Sequence, residues 1–253
     1  MSRAPMFLVL TAVAALAVLG TSGRAVWRIQ QSVALARLSE PFEVSPTQPV
    51  ATLLVVGDST GVGTGASSPA HSLAGLIAQD HPGWQVVNRA KDGAKFADIV
   101  GQLETLDDLR FDAILVLGGG NDVIRFTAQQ ALGQAIQRTA QLARLRAKLV
   151  VIMPSGNVGN APFFFAPLSW LMSQRSRDLH RLVRQAAADH GARYVNLYKE
   201  KVDDPFAQRV DELNAKDGLH PSDAGYRVWY SELNAQADFS NRLAALRPSS
   251  GDF

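Results

Sequence analysis

The sequence predicts an α/β fold in which a mostly parallel sheet of about five strands lies between two layers of helices. Short apolar runs alternate with amphipathic stretches of helical length from residue 51 onward, a pattern typical of parallel strands joined by crossover helices. The chain has 253 residues and is 47% hydrophobic, so it can bury the core of one such domain. In open sheets of this kind, ligands bind beyond the carboxyl ends of the strands. We therefore expect functional residues directly after strands.

Each element is predicted from its local pattern. The predicted strands are the apolar or β-branched runs Thr52–Val56, Trp84–Asn88, Ala113–Leu117, Leu149–Met153 and Arg193–Leu197. The predicted helices are Ser72–Asp80, Lys95–Leu106, Thr127–Arg146, Ser173–His190 and Asp223–Leu246. Gly191 stands where a C-cap glycine would end the fourth helix. Right-handed crossovers between such strands predict a three-layer α/β/α sandwich.

The composition excludes several classes of function. The 25 lysines and arginines against 23 aspartates and glutamates give a formal net charge of +2, without the basic stripe that nucleic-acid binding requires. The absence of cysteine excludes disulfides, thiolate metal sites and a cysteine nucleophile. Four of the five histidines form no metal-ligand spacing: His71, His81, His180 and His190. We predict no metal, no cofactor, no nucleic-acid partner and a monomeric protein.

The N-terminal region is predicted to lie outside the folded domain. Met6 to Gly20 is uncharged and almost wholly apolar, with Arg3 before it and Arg24 after it. These 15 residues would form a helix of about 22 Å against a hydrocarbon core of about 30 Å, and neighbouring residues extend the run. We favour a retained membrane anchor over a cleaved signal peptide or a buried helix of a cytosolic protein, and expect an anchored or exported protein of the cell envelope. The predicted divisions are 1–23 (anchor or signal), 24–50 (helical, proline-containing tether), 51–247 (domain) and 248–253 (flexible tail).

Gly57-Asp58-Ser59-Thr60-Gly61 directly follows the first predicted strand. It matches the G-x-S-x-G elbow, in which a tight strand-to-helix turn exposes a nucleophilic serine. Glycines suit such a turn because a side chain would block the close backbone approach. Taken alone, a Gly-Asp-Ser turn is also common in ordinary loops.

Three other segments carry candidate chemistry. In Asp217-Gly218-Leu219-His220-Pro221, an acid three residues before a histidine can orient the imidazole toward a serine, or it can simply cap the next helix. Leu117-Gly118-Gly119-Gly120-Asn121-Asp122 follows the third strand, where the Asn121 amide can donate to an oxyanion or cap a helix. Asn88-Arg89-Ala90-Lys91-Asp92-Gly93 is the least specific segment, because a glycine after a strand often marks only a turn.

Together these segments resemble the four-block pattern of the SGNH hydrolases, also called GDSL esterases/lipases, over Leu53 to Tyr230. The resemblance implies a flavodoxin-like fold with Ser59 as the nucleophile, His220 as the general base and Asp217 as the residue that orients it. It also implies an oxyanion hole formed by the N–H groups of Ser59 and Gly93 and the side chain of Asn121. Thr60 replaces the family's usual leucine, and Ala90 stands where a glycine is often found.

Two other families share parts of this pattern. The α/β-hydrolases also use G-x-S-x-G, but several strands normally precede their nucleophile, whereas one predicted strand precedes Ser59. Gly61-Val62-Gly63-Thr64-Gly65-Ala66 matches a dinucleotide-binding loop, but the next strand ends in Asn88-Arg89, without the acid that would bind a ribose. A non-catalytic or acyl-transfer module on the same fold is a further alternative.

We expect a serine esterase, with lipid, lysophospholipid or thioester substrates favoured and a carbohydrate or envelope O-acetyl ester as the alternative. The stretch Ala161–Met172 after the fourth strand is unusually aromatic for a loop. Ordinary packing over the sheet would explain it. The sharper hypothesis is a lid or acyl-chain wall in which Phe164 and Trp170 bind substrate beside Ser59.

Overall fold

The computed structural model describes residue 23 and residues 27–106 and 109–246. Its centre is a five-stranded sheet with the order β2-β1-β3-β4-β5 and parallel pairing between all neighbours. The strands are β1 (Ala51–Gly57), β2 (Trp84–Asn88), β3 (Phe111–Gly118), β4 (Ala147–Pro154) and β5 (Arg193–Tyr194). The predicted α/β fold with a parallel sheet of five strands is confirmed.

The helices lie before the first strand, between the strands and after the last of them. They are α1 (residues 27–38), α2 (Ser59–Val62), α3 (Leu73–Asp80), α4 (Phe96–Glu104), α5 (Gly120–Ile124), α6 (Gln129–Arg146), α7 (Leu168–Asp189), α8 (Pro205–Gln208), α9 (Val210–Leu213), α10 (Asp223–Ala237) and α11 (Phe239–Ala245). Two short 3-10 helices span Pro69–His71 and Val158–Asn160.

The sheet separates two apolar cores, because successive side chains of a strand point to opposite faces. Leu53 and Val55 of β1 belong to the first core, together with residues of α3, α10 and α11. Leu54 and Val56 belong to the second core, together with residues of α4, α6 and α7. The strands read as continuous apolar runs because both faces of the sheet are covered.

Most predicted elements agree with the structure to within two residues at each end, and three differ by more. β5 stops at Tyr194 instead of Leu197, because Asn196 instead pairs its backbone N–H and carbonyl with the side chain of Gln236. The last predicted helix is divided into α10 and α11 by Asp238, whose φ of 52° is left-handed.

The third difference concerns the aromatic segment. Helix α7 begins at Leu168, earlier than the predicted Ser173, so Trp170 lies in the first turn of a helix instead of in a loop. Its other end agrees with the sequence: α7 ends at Asp189, and Gly191 adopts a φ of +65°. The N–H groups of Gly191 and Ala192 donate to the carbonyls of Ala188 and Ala187, which is a Schellman motif.

The predicted anchor, Met6 to Gly20, lies outside the described residues, and the domain boundaries stay a prediction. Among the residues that are described, no helix is both long and apolar enough to cross a membrane. The segment before β1 contacts the domain: Phe42 packs against the first core, and Val44 forms two backbone hydrogen bonds with Val86 of β2.

Candidate active site

The turn after β1 places Ser59 at the first residue of α2. A side chain at Gly57 would lie 2.0 Å from the carbonyl oxygen of Leu117, so this position needs glycine. Asp58 caps α2, since its Oδ1 accepts hydrogen bonds from the N–H of Thr60 at 2.9 Å and from Thr60 Oγ1 at 2.7 Å. The cap fixes the direction in which the helix leaves the sheet, and thereby the position of the Ser59 hydroxyl.

Gln102 of α4 completes the hydrogen bonding of the same turn. Its side chain accepts from the N–H of Gly57 at 2.8 Å and donates to the Gly57 carbonyl at 2.9 Å. Sequence reasoning missed this role. The available signal was a glutamine three residues after Ile99, on the buried face of a predicted amphipathic helix.

Ser59, His220 and Asp217 form a continuous hydrogen-bonded chain. Ser59 Oγ lies 2.8 Å from His220 Nε2, and His220 Nδ1 lies 2.6 Å from Asp217 Oδ2. All three residues are buried, with at most 8% of each exposed. The arrangement is that of a catalytic triad, in which the acid fixes the tautomer of the base and the base can accept the serine proton.

Asp217 is held as a carboxylate. Burial alone raises the pKa of this group, but hydrogen bonds from the His220 ring and from the backbone N–H groups of Leu219 and His220 outweigh burial and leave the pKa below its usual value. The negative charge therefore persists beside the imidazole, where it stabilises an imidazolium.

The loop that carries His220 is held against the loop after α2. Gly65 has a φ of +97°, and a side chain there would lie 2.4 Å from the carbonyl oxygen of Pro221. Tyr226 of α10 donates a hydrogen bond to the carbonyl of Thr64 at 2.9 Å. Gly65, the last glycine of the stretch that matches a dinucleotide-binding loop, thus allows the two backbone segments to approach each other and brings the base to the serine.

The three predicted oxyanion donors lie around the same cleft, which Ser59, Gly93 and Asn121 all line. Asn121 Nδ2 donates one hydrogen bond to the carbonyl of Ala94 at 3.1 Å, and its second N–H is left for a ligand. Within the described part of the chain, the backbone N–H groups of Ser59 and Gly93 donate to no protein acceptor. This is the pattern expected of an oxyanion hole.

Comparison with known proteins agrees with this geometry. The model of the GDSL-like lipase/acylhydrolase family matches residues 55–228, which is more than half of the chain. The chain belongs to this family. It is therefore an SGNH-type ester hydrolase, as the resemblance implied.

Solved structures show the same fold. TesA is 23% identical with a TM-score of 0.59, covering 77% of this chain and 99% of its own. A lipolytic G-D-S-L family protein from Veillonella parvula DSM 2008 is 15% identical with a TM-score of 0.57, covering 73% and 96%. Axe2, an acetylxylan esterase from Geobacillus stearothermophilus, is 21% identical with a TM-score of 0.52, covering 76% and 95%. No curated protein sequence is significantly similar to the chain.

The second block of this hydrolase departs from the family at Ala90, and the structure shows how the alanine fits. Ala90 Cβ lies 2.7 Å from where a Cβ on Gly61 would be, so the methyl group occupies the space that the glycine leaves. Asn88 holds the two segments together, accepting from the N–H of Ala90 at 3.0 Å and donating to the carbonyl of Gly61 at 2.9 Å.

Asp58 is a second buried acid of the hydrolase, separate from the triad. Burial raises its pKa to about 6, even though two hydrogen bonds from Thr60 favour the charged form. Its carboxylate contacts Thr60, whereas the His220 ring contacts Asp217.

The cleft has a volume of about 350 Å³ and takes residues from both halves of the chain. Its apolar lining includes Ile124, Val158 and Leu219, and its polar lining includes Asn157 and Asn160. Ser32, Val33 and Ala36 of α1 also line it, a contribution that no sequence pattern indicated.

The structure does not bring Phe164 and Trp170 to this cleft. Phe164 is partly buried and packs against the second core, and Trp170 is 72% exposed at the start of α7. Neither lines the cleft that holds Ser59. Their predicted substrate contact is thus not supported by their position, and ordinary packing accounts for Phe164.

The other histidines have structural environments. His180 is buried, its ring bonds the carbonyl of Ser155 and the Tyr194 hydroxyl, and burial lowers its pKa to about 4. His71 lies at the surface beside Ser67 and Asp223. Among the described residues, no group of three or more histidine, aspartate or glutamate side chains could hold a metal ion.

Proposed function

We propose that this protein hydrolyses carboxylic esters through an acyl-enzyme on Ser59. The observation that carries the proposal is the unbroken chain of hydrogen bonds from Ser59 Oγ through the His220 ring to Asp217. The proposal is further supported by the unengaged donors of Ser59, Gly93 and Asn121 around the same cleft.

In the first half of the reaction, Ser59 Oγ attacks the ester carbonyl while His220 Nε2 takes the serine proton. The carbonyl oxygen becomes an oxyanion, which the donors of Ser59, Gly93 and Asn121 stabilise; one such donor typically contributes about 100- to 1000-fold in rate. His220 then returns the proton to the leaving alcohol as the C–O bond breaks. In the second half, water attacks the acyl-enzyme by the same route and releases the acid.

We propose esters with an apolar acyl chain, such as lipid, lysophospholipid or thioester substrates, as the substrate class. The apolar side chains of the cleft support this choice. An O-acetyl ester on a carbohydrate is the second candidate, because Asn157 and Asn160 also line the cleft and amide side chains suit sugar hydroxyls. The structurally similar Axe2 is itself an acetylxylan esterase.

We also propose that the protein works as a monomer held at a membrane or exported to the cell envelope. The apolar run Met6 to Gly20 supports this location. Fractionation of cells that produce the full chain tests it, and recovery of all the protein with the cytosolic fraction would contradict it.

Labelling with a fluorophosphonate and hydrolysis of p-nitrophenyl esters test the reaction. Ser59→Ala is expected to abolish labelling and to lower hydrolysis by about 10⁴-fold or more, because the nucleophile is lost. Ser67→Ala is the matched control, since Ser67 also contacts a histidine and an aspartate but binds the aspartate directly at 2.6 Å. Its labelling and rate should equal those of the wild type. Wild-type activity in the Ser59→Ala protein would contradict the proposal.

The same assay separates the substrate classes. Comparing octanoyl, acetyl and glycan O-acetyl esters distinguishes an apolar acyl pocket from a sugar-binding site. Higher kcat/KM on octanoyl than on acetyl esters supports the first candidate, and preference for the acetylated glycan supports the second. Labelling of Ser59 without hydrolysis, but with transfer to an added alcohol, would indicate an acyltransferase.

A further inference from the structure

We propose that helix α1 is a wall of the substrate-binding cleft and limits the length of the acyl chain that the enzyme accepts. The inference rests on the proposed function and adds to it an element outside the family domain. Ser32, Val33 and Ala36 line the cleft that also contains Ser59 and His220. The three residues are spaced i, i+1 and i+4, so they share one face of the helix.

The start of α1 is fixed against the loop that carries Asp217 and His220. Arg28 precedes Ser32 by one turn of helix and is 7% exposed. Its Nη1 lies 3.5 Å from the carbonyl oxygen of Asp217 and occupies the space where a side chain on Gly218 would be. Because Gly218 has no side chain, the guanidinium packs directly on the backbone between Asp217 and His220.

The segment after α1 is fixed along β2, at one edge of the sheet. The Glu43 carboxylate accepts hydrogen bonds from the backbone N–H of Asn88 at 3.0 Å and from Arg89 at 2.7 Å. Val44 pairs with Val86, and Phe42 packs against the first core. Helix α1 is therefore attached to the domain both before and after the residues that face the cleft, and these contacts hold it in place beside the cleft.

This wall is an addition to the family domain. The family match begins at residue 55, so α1 lies outside it. The residues that α1 offers are uncharged, and Val33 and Ala36 are apolar. Such a surface suits an alkyl chain and offers no countercharge to an ionic group, so we assign it to the acyl chain of the ester.

The test is a pair of tryptophan substitutions in the full chain. Ala36→Trp fills the cleft, whereas Ala34→Trp adds the same bulk at an exposed position of the same helix that does not line the cleft. Ala36→Trp is expected to lower the ratio of kcat/KM for octanoyl to acetyl p-nitrophenyl esters at least tenfold. Ala34→Trp should leave the ratio within twofold of the wild type.

Two further measurements keep the result interpretable. Fluorophosphonate labelling of Ser59 reports whether each variant retains its active site. Val33→Ala enlarges the cleft, so it should raise the ratio of kcat/KM for octanoyl to acetyl esters about threefold. An unchanged ratio in Ala36→Trp would overturn the inference, and so would an equal loss of kcat/KM on both esters. If Ala36→Trp does not fold, an unchanged ratio in Val33→Ala would overturn it. Failure of the proposed function would instead be seen as a wild-type protein that hydrolyses neither ester.

Discussion

At the scale of single residues, Asp217 and Asp58 are both buried near Ser59, and their environments shift their pKa values in opposite directions. Asp217 is surrounded by donors, and its pKa lies below the usual value despite burial. Among the described residues, Asp58 receives hydrogen bonds from Thr60 alone, so burial outweighs them and raises the pKa of Asp58 to about 6. The additional hydrogen bonds that the charged form of Asp217 receives contribute to this difference.

Asp58 makes the folding stability depend on pH. Its pKa is about 6 in the folded state against an ordinary 3.8, so between these values the folded chain binds more protons and stability falls as pH rises. The shift corresponds to about 3 kcal/mol. Asp58→Asn keeps an oxygen for Thr60 without the charge. Between pH 4 and pH 8, the free energy of unfolding of Asp58→Asn should rise by about 3 kcal/mol relative to that of the wild type.

Urea unfolding of both proteins at several pH values measures this difference. Asp203→Asn is the control, because Asp203 is exposed and its variant should follow the wild-type profile. Parallel profiles for the wild type and Asp58→Asn would show that Asp58 is not the group responsible.

At the scale of elements, replacing a glycine just past the end of a helix and a glycine inside a helix by alanine should change the stability in opposite directions. Gly191 ends α7 with a φ of +65°, which an alanine adopts only with strain. Gly101 lies within α4, and a Cβ there would meet nothing within 4 Å. We expect Gly191→Ala to lower the free energy of unfolding by about 1 kcal/mol and Gly101→Ala to raise it by about 0.5–1 kcal/mol.

Denaturant titration of the two variants gives both values. Each serves as the control for the other, since the chemical change is the same and only the backbone conformation differs. A gain in stability for Gly191→Ala would contradict the Schellman motif as the reason for that glycine.

The sequence predicted those elements whose signals are local. β2 has the predicted bounds, and the glycine after α7 ends the helix as expected. The break at Asp238 was not predicted, because an aspartate with positive φ has no distinctive pattern. The contribution of α1 to the cleft was also missed, since it depends on contacts between residues such as Arg28 and Asp217, 189 positions apart.

The candidate site was predictable for a different reason. Ser59, Gly93 and Asn121 belong to short motifs that follow β1, β2 and β3, and a parallel sheet brings those strand ends to one edge. His220 lies in the loop before α10, and its signal was the acid three residues earlier. Phe164 and Trp170 had no such topological constraint. Their position depends on where α7 begins, which the sequence pattern placed at Ser173 instead of Leu168.

At the scale of the whole molecule, the two cores share one sheet and should unfold together. Ile114 and Leu115 are neighbours on β3, both fully buried, and they point into opposite cores. Either one replaced by alanine should lower the free energy of unfolding by about 2–5 kcal/mol. Leu145→Ala is the control: this leucine is 62% exposed, and its loss should cost less than about 0.5 kcal/mol.

Two probes test the coupling of the cores. The buried tryptophans, Trp84 and Trp229, both belong to the first core, whereas far-UV circular dichroism reports on all helices. Ile114→Ala, which alters the second core, should move the midpoints of both signals by the same amount. A shift in circular dichroism with unchanged tryptophan fluorescence would mean that the two faces unfold independently.

The distance along the chain between Ser59 and His220 also sets when the enzyme becomes active during its synthesis. The two residues are 161 positions apart. At about 5–20 residues per second, the ribosome adds the histidine about 8–32 s after the serine. Until then the serine has neither base nor orienting acid. Ser59 of the nascent chain is therefore expected to be unreactive toward esters until the ribosome has added Asp217 and His220 and their loop has packed beside the serine.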